Sequence, residues 1–149
     1  MQLIPVTKPD ANKLRAAYQL VSDMAVQWNG RLVNVPGGFQ YDGASIPRAL
    51  WTIVGNPFEP QFMRAALAHD WLYHVHTYDR QESDALFSGL LQEDGVSKAK
   101  AETMRAGIRA FGGRYWNNDA MDADYLWRLR HQLIADHRNP ADYGLGEIP

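Results

Sequence analysis

Two periodicities divide the chain near Pro60. Before it, apolar residues come in short alternating runs, as extended strands require; after it they recur every three or four positions, the spacing of a helix face. In the first part, Ala25-Val26-Gln27-Trp28 and Arg31-Leu32-Val33-Asn34-Val35 flank Asn29-Gly30. Asn-Gly between two such runs predicts a two-residue hairpin turn, because both turn positions want φ > 0. Arg15 to Ser22 reads as another strand, since Tyr18, Leu20 and Ser22 alternate with Ala17, Gln19 and Val21; its two alanines make helix the competing assignment. Pro36-Gly37-Gly38 ends the strands and opens a loop to about Pro60, punctuated by Pro47 and Pro57, with Leu50 to Val54 as a short helical turn.

The helical part begins at Gln61 and its first helix runs to Thr77. Asp79-Arg80-Gln81-Glu82 is a capping box for the second, which stops at Gly95. The third opens at Ser97 and places Ala101, Met104, Ile108 and Phe111 on one face before Gly112-Gly113 breaks it. The last helix runs from about Ala120 to His137, with Leu126, Leu129 and Leu133 facing inward, and Asn139-Pro140 ends it. The tail from 139 to 149 reads as irregular. The pattern predicts one α+β domain over 1–149, a small N-terminal antiparallel sheet with a hairpin followed by about four helices, divided as strands 1–36, loop 37–60, helices 61–138 and tail.

Composition narrows the class without changing this picture. With 149 residues, 46% hydrophobic and 21% charged, the chain has enough apolar content for one core. A net charge of −2 gives no basic field for nucleic acid. No apolar run reaches the roughly 18–20 residues that span a bilayer, and Met1-Gln2-Leu3-Ile4-Pro5 lacks the pattern of a secretory signal. The absence of cysteine removes disulfides and thiolate sites and fits a reducing cytosol, as in a host cell; a virion component made there would have the same composition.

The candidate chemistry lies on the first helix. In Ala68-His69-Asp70-Trp71-Leu72-Tyr73, His69 and Tyr73 share a face, one turn apart, and Asp70 is rotated by about 100°. His69 is the candidate general base and Asp70 the candidate carboxylate ligand for a hard cation, Ca²⁺ or Mg²⁺. The alternative is a half-buried histidine with satisfied hydrogen bonds and an Asp70 paired with Arg64 or another nearby basic residue. His74 lies one turn beyond Asp70 and is a candidate to join it as ligand; His76 is two residues further, a spacing that does not converge on a helix, and both histidines also suit a helix C-terminus. On the second helix Asp84 borders the buried face beside Phe87 and Leu91. If the first two helices form an antiparallel hairpin, Asp84 reaches His69 and holds its ring in one tautomer; otherwise it pairs with Arg80 or Lys98. Asp79 is accounted for by capping.

The loop Tyr41-Asp42-Gly43-Ala44-Ser45-Ile46-Pro47 has two readings. Gly37, Gly38 and Gly43 allow the backbone to turn toward a ligand, with Asp42 adding a carboxylate beside Asp70. Alternatively Asp42-Gly43 makes a tight turn and Ser45 caps the turn after it. Trp28, Trp51, Trp71, Trp116 and Trp127 read as core or half-buried anchors, and Gly112-Gly113-Arg114-Tyr115-Trp116 as a helix stop followed by packing aromatics.

Val35-Pro36-Gly37-Gly38-Phe39, Tyr41 to Pro47, Ala68 to Tyr73, Arg80, Asp84, Phe87 and Phe111-Gly112 together resemble the domain of unknown function 1353 family, over about residues 15–117. That resemblance implies a phage, prophage or bacterial setting and no mechanism. A more local similarity is to secreted phospholipases of the A2 type, which carry His-Asp-x-x-Tyr on a helix, a carboxylate on an antiparallel helix and a glycine-rich loop before them. By position it implies His69 as base, Asp70 as Ca²⁺ ligand, Asp84 as orienting carboxylate and Tyr73 as support. Those enzymes are disulfide-rich and this chain has no cysteine, and its Asp42-Gly43 loop is not their calcium loop. Histidine–aspartate phosphohydrolases need a histidine upstream of the pair, and none precedes His69.

Two functions follow. One is a metal-assisted hydrolase acting through His69 and Asp70 on an ester in a lipid or envelope component. The other is a non-enzymatic phage virion, tail or assembly protein, partnered by phage structural proteins, in which the cluster clamps the 41–47 loop; binding to a host factor is a third possibility. An enzyme needs His69, Asp70 and Asp42 to line an open cleft, whereas a clamp closes them over with every hydrogen bond made to protein.

Overall fold

The computed structural model describes residues 1–6, 17–41, 50, 59–117 and 119–146, an α+β chain whose strands precede its helices. Asp42, Gly43, Ser45, Pro47, Trp51 and most of the turn expected over 50–54 lie outside the described residues. The chain divides into two compact units, Met1–Asp42 with Asn118–Pro149, and Gly43–Asn117.

The first unit holds two small antiparallel sheets. Strands β1 (Leu3–Val6), β2 (Ala17–Leu20) and β5 (Gln40–Tyr41) form one with β2 central, pairing Leu3 with Leu20 and Gln19 with Gln40. Strands β3 (Met24–Trp28) and β4 (Arg31–Val35) form the other, in register Trp28↔Arg31 and Met24↔Val35. Their two-residue turn has φ of 51° at Asn29 and 74° at Gly30, as Asn-Gly predicts. Met24, Val26, Val33 and Val35 point to one buried face. The chain then returns through Pro36 to Phe39, where Gly38 N–H donates to Leu20 O (2.7 Å) and Leu20 N–H to Phe39 O (2.9 Å). A Cβ at Gly37 would lie 2.9 Å from Val21 O, so only glycine lets the two backbones approach there. Gly37 and Gly38 thus shape a sheet return.

Helix α5 (Asp119–Ala135) belongs to this unit, burying Tyr125, Leu126, Leu129 and Leu133. Tyr125 packs near Phe39, ring centroids 6.5 Å apart, and its hydroxyl accepts from Gln40 N–H at 3.0 Å. Trp127 corrects the expectation that every tryptophan is an anchor. It falls on the opposite side of α5 from the leucine stripe, is 53% exposed, and has its ring against His131. The tail corrects another. Asn139 caps a 3₁₀ turn over Pro140–Tyr143, which folds back so that Tyr143 OH donates to Asp23 Oδ2 (2.5 Å), Asn34 Nδ2 to Asp142 O (3.1 Å) and Arg130 Nη2 to Leu145 O (2.8 Å).

Among the described residues the second unit holds three long helices, α1 (Pro60–Val75), α2 (Arg80–Glu93) and α3 (Lys98–Phe111), with α2 packed against both others, followed by a single turn, α4 (Gly113–Trp116). Each boundary follows from local chemistry. Pro60 opens α1, and His76 closes it in the left-handed region (φ 55°) with its N–H on Leu72 O. Asp79 accepts from Glu82 N–H at 2.7 Å, and Ser97 caps α3 through Lys100 N–H at 3.2 Å. Phe62, Leu67, Trp71, Leu72, Leu86, Phe87, Leu90, Leu91, Met104 and Ile108 form the core. Phe111, expected on that face, is 65% exposed. At this end of α3 the neighbour is the Arg80 guanidinium, which takes the Ile108 and Arg109 carbonyls in place of an apolar contact.

Candidate functional site

The short connection from Val75 to Asp79 turns α2 back along α1, so the His69 face of one helix meets the Asp84 face of the other. His69 Nε2 lies 2.8 Å from Asp84 Oδ1, and Tyr73 OH donates to the same oxygen at 2.6 Å. Arg109, reaching in from the last turn of α3, donates from Nη1 to Asp84 Oδ2 at 3.3 Å. Arg80 Nε donates to Tyr73 OH at 3.3 Å. His69 and Asp84 are both 0% exposed and Tyr73 is buried. The His69 ring lies 4.2 Å from that of Tyr73 and 5.0 Å from that of Phe87, centroid to centroid. Trp116 meets Tyr73 edge-on at 5.2 Å and stacks on His76 at 3.7 Å.

Burial alone would push the Asp84 carboxyl upward. Hydrogen bonds from His69, Tyr73 and Arg109, with the attraction of His69, outweigh it and hold the group below the ordinary aspartate value. The Tyr73 phenol is pushed well above its usual value, by burial first and by its bond to Asp84 second, against the opposing donation from Arg80. Tyr73 is therefore a proton donor across the physiological range. An ionised carboxylate only accepts, so Nε2 carries a proton and donates to Asp84.

The structure brings together three of the residues singled out above, His69, Tyr73 and Asp84. Asp70 is buried beside them on α1, and His74 is half-buried in the helix's last turn. Asp42 is outside the described residues. Among the described residues, no three His, Asp or Glu side chains gather closely enough to hold a metal ion. Other pairings differ from those expected: Arg64 binds Asp94 through two nitrogens (3.0 and 2.9 Å) and Glu93 (3.0 Å), while Asp84 takes Arg109, not Arg80 or Lys98.

Arg109 is the residue that sequence reasoning missed; Arg80, expected as a partner of Asp84, binds Tyr73 and the end of α3 instead. A signal for Arg109 exists. A buried carboxylate needs a counter-charge, and a short α2–α3 connection sets the C-terminal half of α3 beside the N-terminal half of α2, where Asp84 lies.

A family model described as "Protein of unknown function (DUF1353)" matches residues 18–108, well over half of the chain. The chain belongs to the DUF1353 family. The matched DUF1353 span contains His69, Tyr73, Arg80 and Asp84, and Arg109 stands one residue past it. Two relatives come from Sinorhizobium fredii (strain NBRC 101917 / NGR234). "Uncharacterized protein y4jT" is 31% identical over 99 residues, covering 66% of this chain and 30% of the relative. "Uncharacterized protein y4iH" is 38% identical over 74 residues, covering 50% of this chain and 31% of the relative. The DUF1353 chain thus spans under a third of the length of these curated relatives. No solved structure matches it.

Proposed function

We propose that this DUF1353 protein is a hydrolase of esters, in a lipid or an envelope component, in which His69 is the general base and Asp84 its orienting partner. The observation that carries the reading is the 2.8 Å contact of Asp84 Oδ1 with His69 Nε2. A carboxylate on Nε2 orients the ring and supports its protonated form, which is what an orienting partner does for a general base. Tyr73, held as a donor, fixes the shared oxygen. A phage or prophage setting comes with this reading, through the family resemblance.

Asp70 is the proposed ligand for Ca²⁺ or Mg²⁺. A hard cation takes about six to eight oxygens, or about six for Mg²⁺. Asp70 and His74 do not make such a set among the described residues; Asp42 is the further ligand proposed. No step is routed through the cation, and its binding is a separate measurement.

The complete burial of His69 and Asp84 favours a second reading, in which the network is a clamp in a non-enzymatic virion, tail or assembly protein that acts through phage structural proteins or a host factor. One set of variants separates the two. For the hydrolase, wild type cleaves a nitrophenyl or glycerophospholipid ester, and His69→Gln loses about a hundredfold or more of that rate with little change in melting temperature. Calorimetry with Ca²⁺ and Mg²⁺ shows saturable binding that Asp70→Asn abolishes. For the clamp, wild type cleaves neither ester, and His69→Gln and Asp70→Asn both melt several degrees lower, about 4–8 °C per kcal/mol lost in a unit of this size.

A further inference from the structure

The buried carboxylate of Asp84 has three donors, and they are unevenly placed. His69 and Tyr73, both on α1, share Oδ1, while among the described residues Oδ2 is met by Arg109. Two donors on one oxygen do not by themselves fix the plane of a carboxylate, whose last torsion is broad and two-fold. A buried charged oxygen without a donor also costs more than the bond it lacks. Arg109 removes both problems. Its guanidinium touches Oδ2 from a position 41% exposed, so the charge that compensates Asp84 stays largely hydrated.

Arg109 is itself held by the second arginine. Arg80 Nη2 donates to the carbonyls of Ile108 and Arg109, 2.9 Å each, closing the C-terminal end of α3. Its Nε reaches Tyr73 OH, so one guanidinium ties the backbone that carries Arg109 to the phenol that binds Asp84. A Cβ at Gly113 would stand 3.4 Å from Arg80 Nη1, and one at Gly112 only 2.6 Å from Ile108 O. Glycine at 112 therefore permits the close return of the chain, and Gly113 lies against the guanidinium.

We infer that Arg109 is a positioning residue for His69, acting through Asp84, and that Arg80 aims it by fixing the last turn of α3. The inference deepens the hydrolase reading and rests on it for kinetic consequences; the hydrogen-bond geometry can be read without any turnover. The test compares Arg109→Met, which keeps length and apolar cover, with Arg109→Lys, which keeps the charge. The readouts are the downfield proton resonance of His69 Nε2–H, assigned by its loss in His69→Gln, and the kinetics of ester hydrolysis.

In Arg109→Met the proton signal is expected to broaden through exchange and move upfield, with kcat falling about tenfold or more and KM unchanged. Arg109→Lys is expected to restore the signal and most of the rate. An unchanged signal in Arg109→Met overturns the inference, even if the variant melts at a lower temperature, because Arg109 is then only a tie between helices. If Arg109→Met does not fold, Arg109→Lys decides: a retained signal supports the inference and a lost one overturns it. A wild type that hydrolyses no ester defeats the hydrolase reading, while the proton signal still decides the role of Arg109.

Discussion

Each unit contains an aspartate that accepts from a tyrosine hydroxyl and an arginine guanidinium, one buried and one at the surface. Asp84 takes Tyr73, Arg109 and His69 at 0% exposure. Asp23 takes Tyr143, Arg138 and the Gly37 N–H with its side chain 48% exposed. The donor types nearly coincide, so the difference lies in the surroundings. Water screens the charge of Asp23 and can replace any lost partner, which makes it a clasp between the sheet return and the tail. Asp84 has no such reserve, and each of its partners must be held in place by a helix. Burial turns the same chemistry from a fastening into a site whose geometry is fixed.

The sharpest way to break this comparison is to delete each carboxylate. Asp84→Ala leaves His69 and Tyr73 buried without their acceptor and should cost about 3–5 kcal/mol in urea unfolding. A loss no larger than that of the surface variant would end the argument from burial.

Acid titration sharpens it next. Because the folded state holds Asp84 below its ordinary value, its contribution to stability is complete above about pH 4 and is lost as pH falls through the folded value. Asp84→Asn, though less stable near neutrality, should therefore show a shallower acid limb than wild type in melts between about pH 5 and 2; parallel limbs would mean that Asp84 gains nothing from its ionised form. The smallest effect belongs to Asp23→Ala, expected to cost about 1 kcal/mol or less, visible as a slight melting shift and as faster proteolysis of the tail after Asp136.

Much of this was legible wherever the information is local. Asn29-Gly30, Asp79 with Glu82, and Ser97 each determine their own turn or cap within a few residues, and each stands where the sequence places it. The meeting of His69 with Asp84 was legible too, because a short connection between two helices leaves an antiparallel hairpin as the simple arrangement. What escaped was set by distant partners. The two-residue strand β5 exists only because β2 offers it an edge, and the tail looked irregular because Asp23 lies 115 and 120 residues from Arg138 and Tyr143. Arg109 escaped for the same reason, reaching Asp84 from 25 residues away on a third helix. The exposed faces of Trp127 and Phe111 show the reverse, since apolar identity alone does not say which side of a helix has a neighbour.

The chain order of the two units carries a consequence for biosynthesis. The helical unit is one uninterrupted stretch, Gly43–Asn117, with its helices joined by short connections, so its pairings are local and belong to the fast end of folding rates. The other unit is split, its strands made first and its helix and tail last. On a ribosome, β3 and β4 can close their hairpin early, yet the Pro140–Tyr143 turn that packs on β4 is synthesised last. During that interval the nascent chain carries a finished helical unit behind an uncovered sheet, and this is the period in which a chaperone has most to bind.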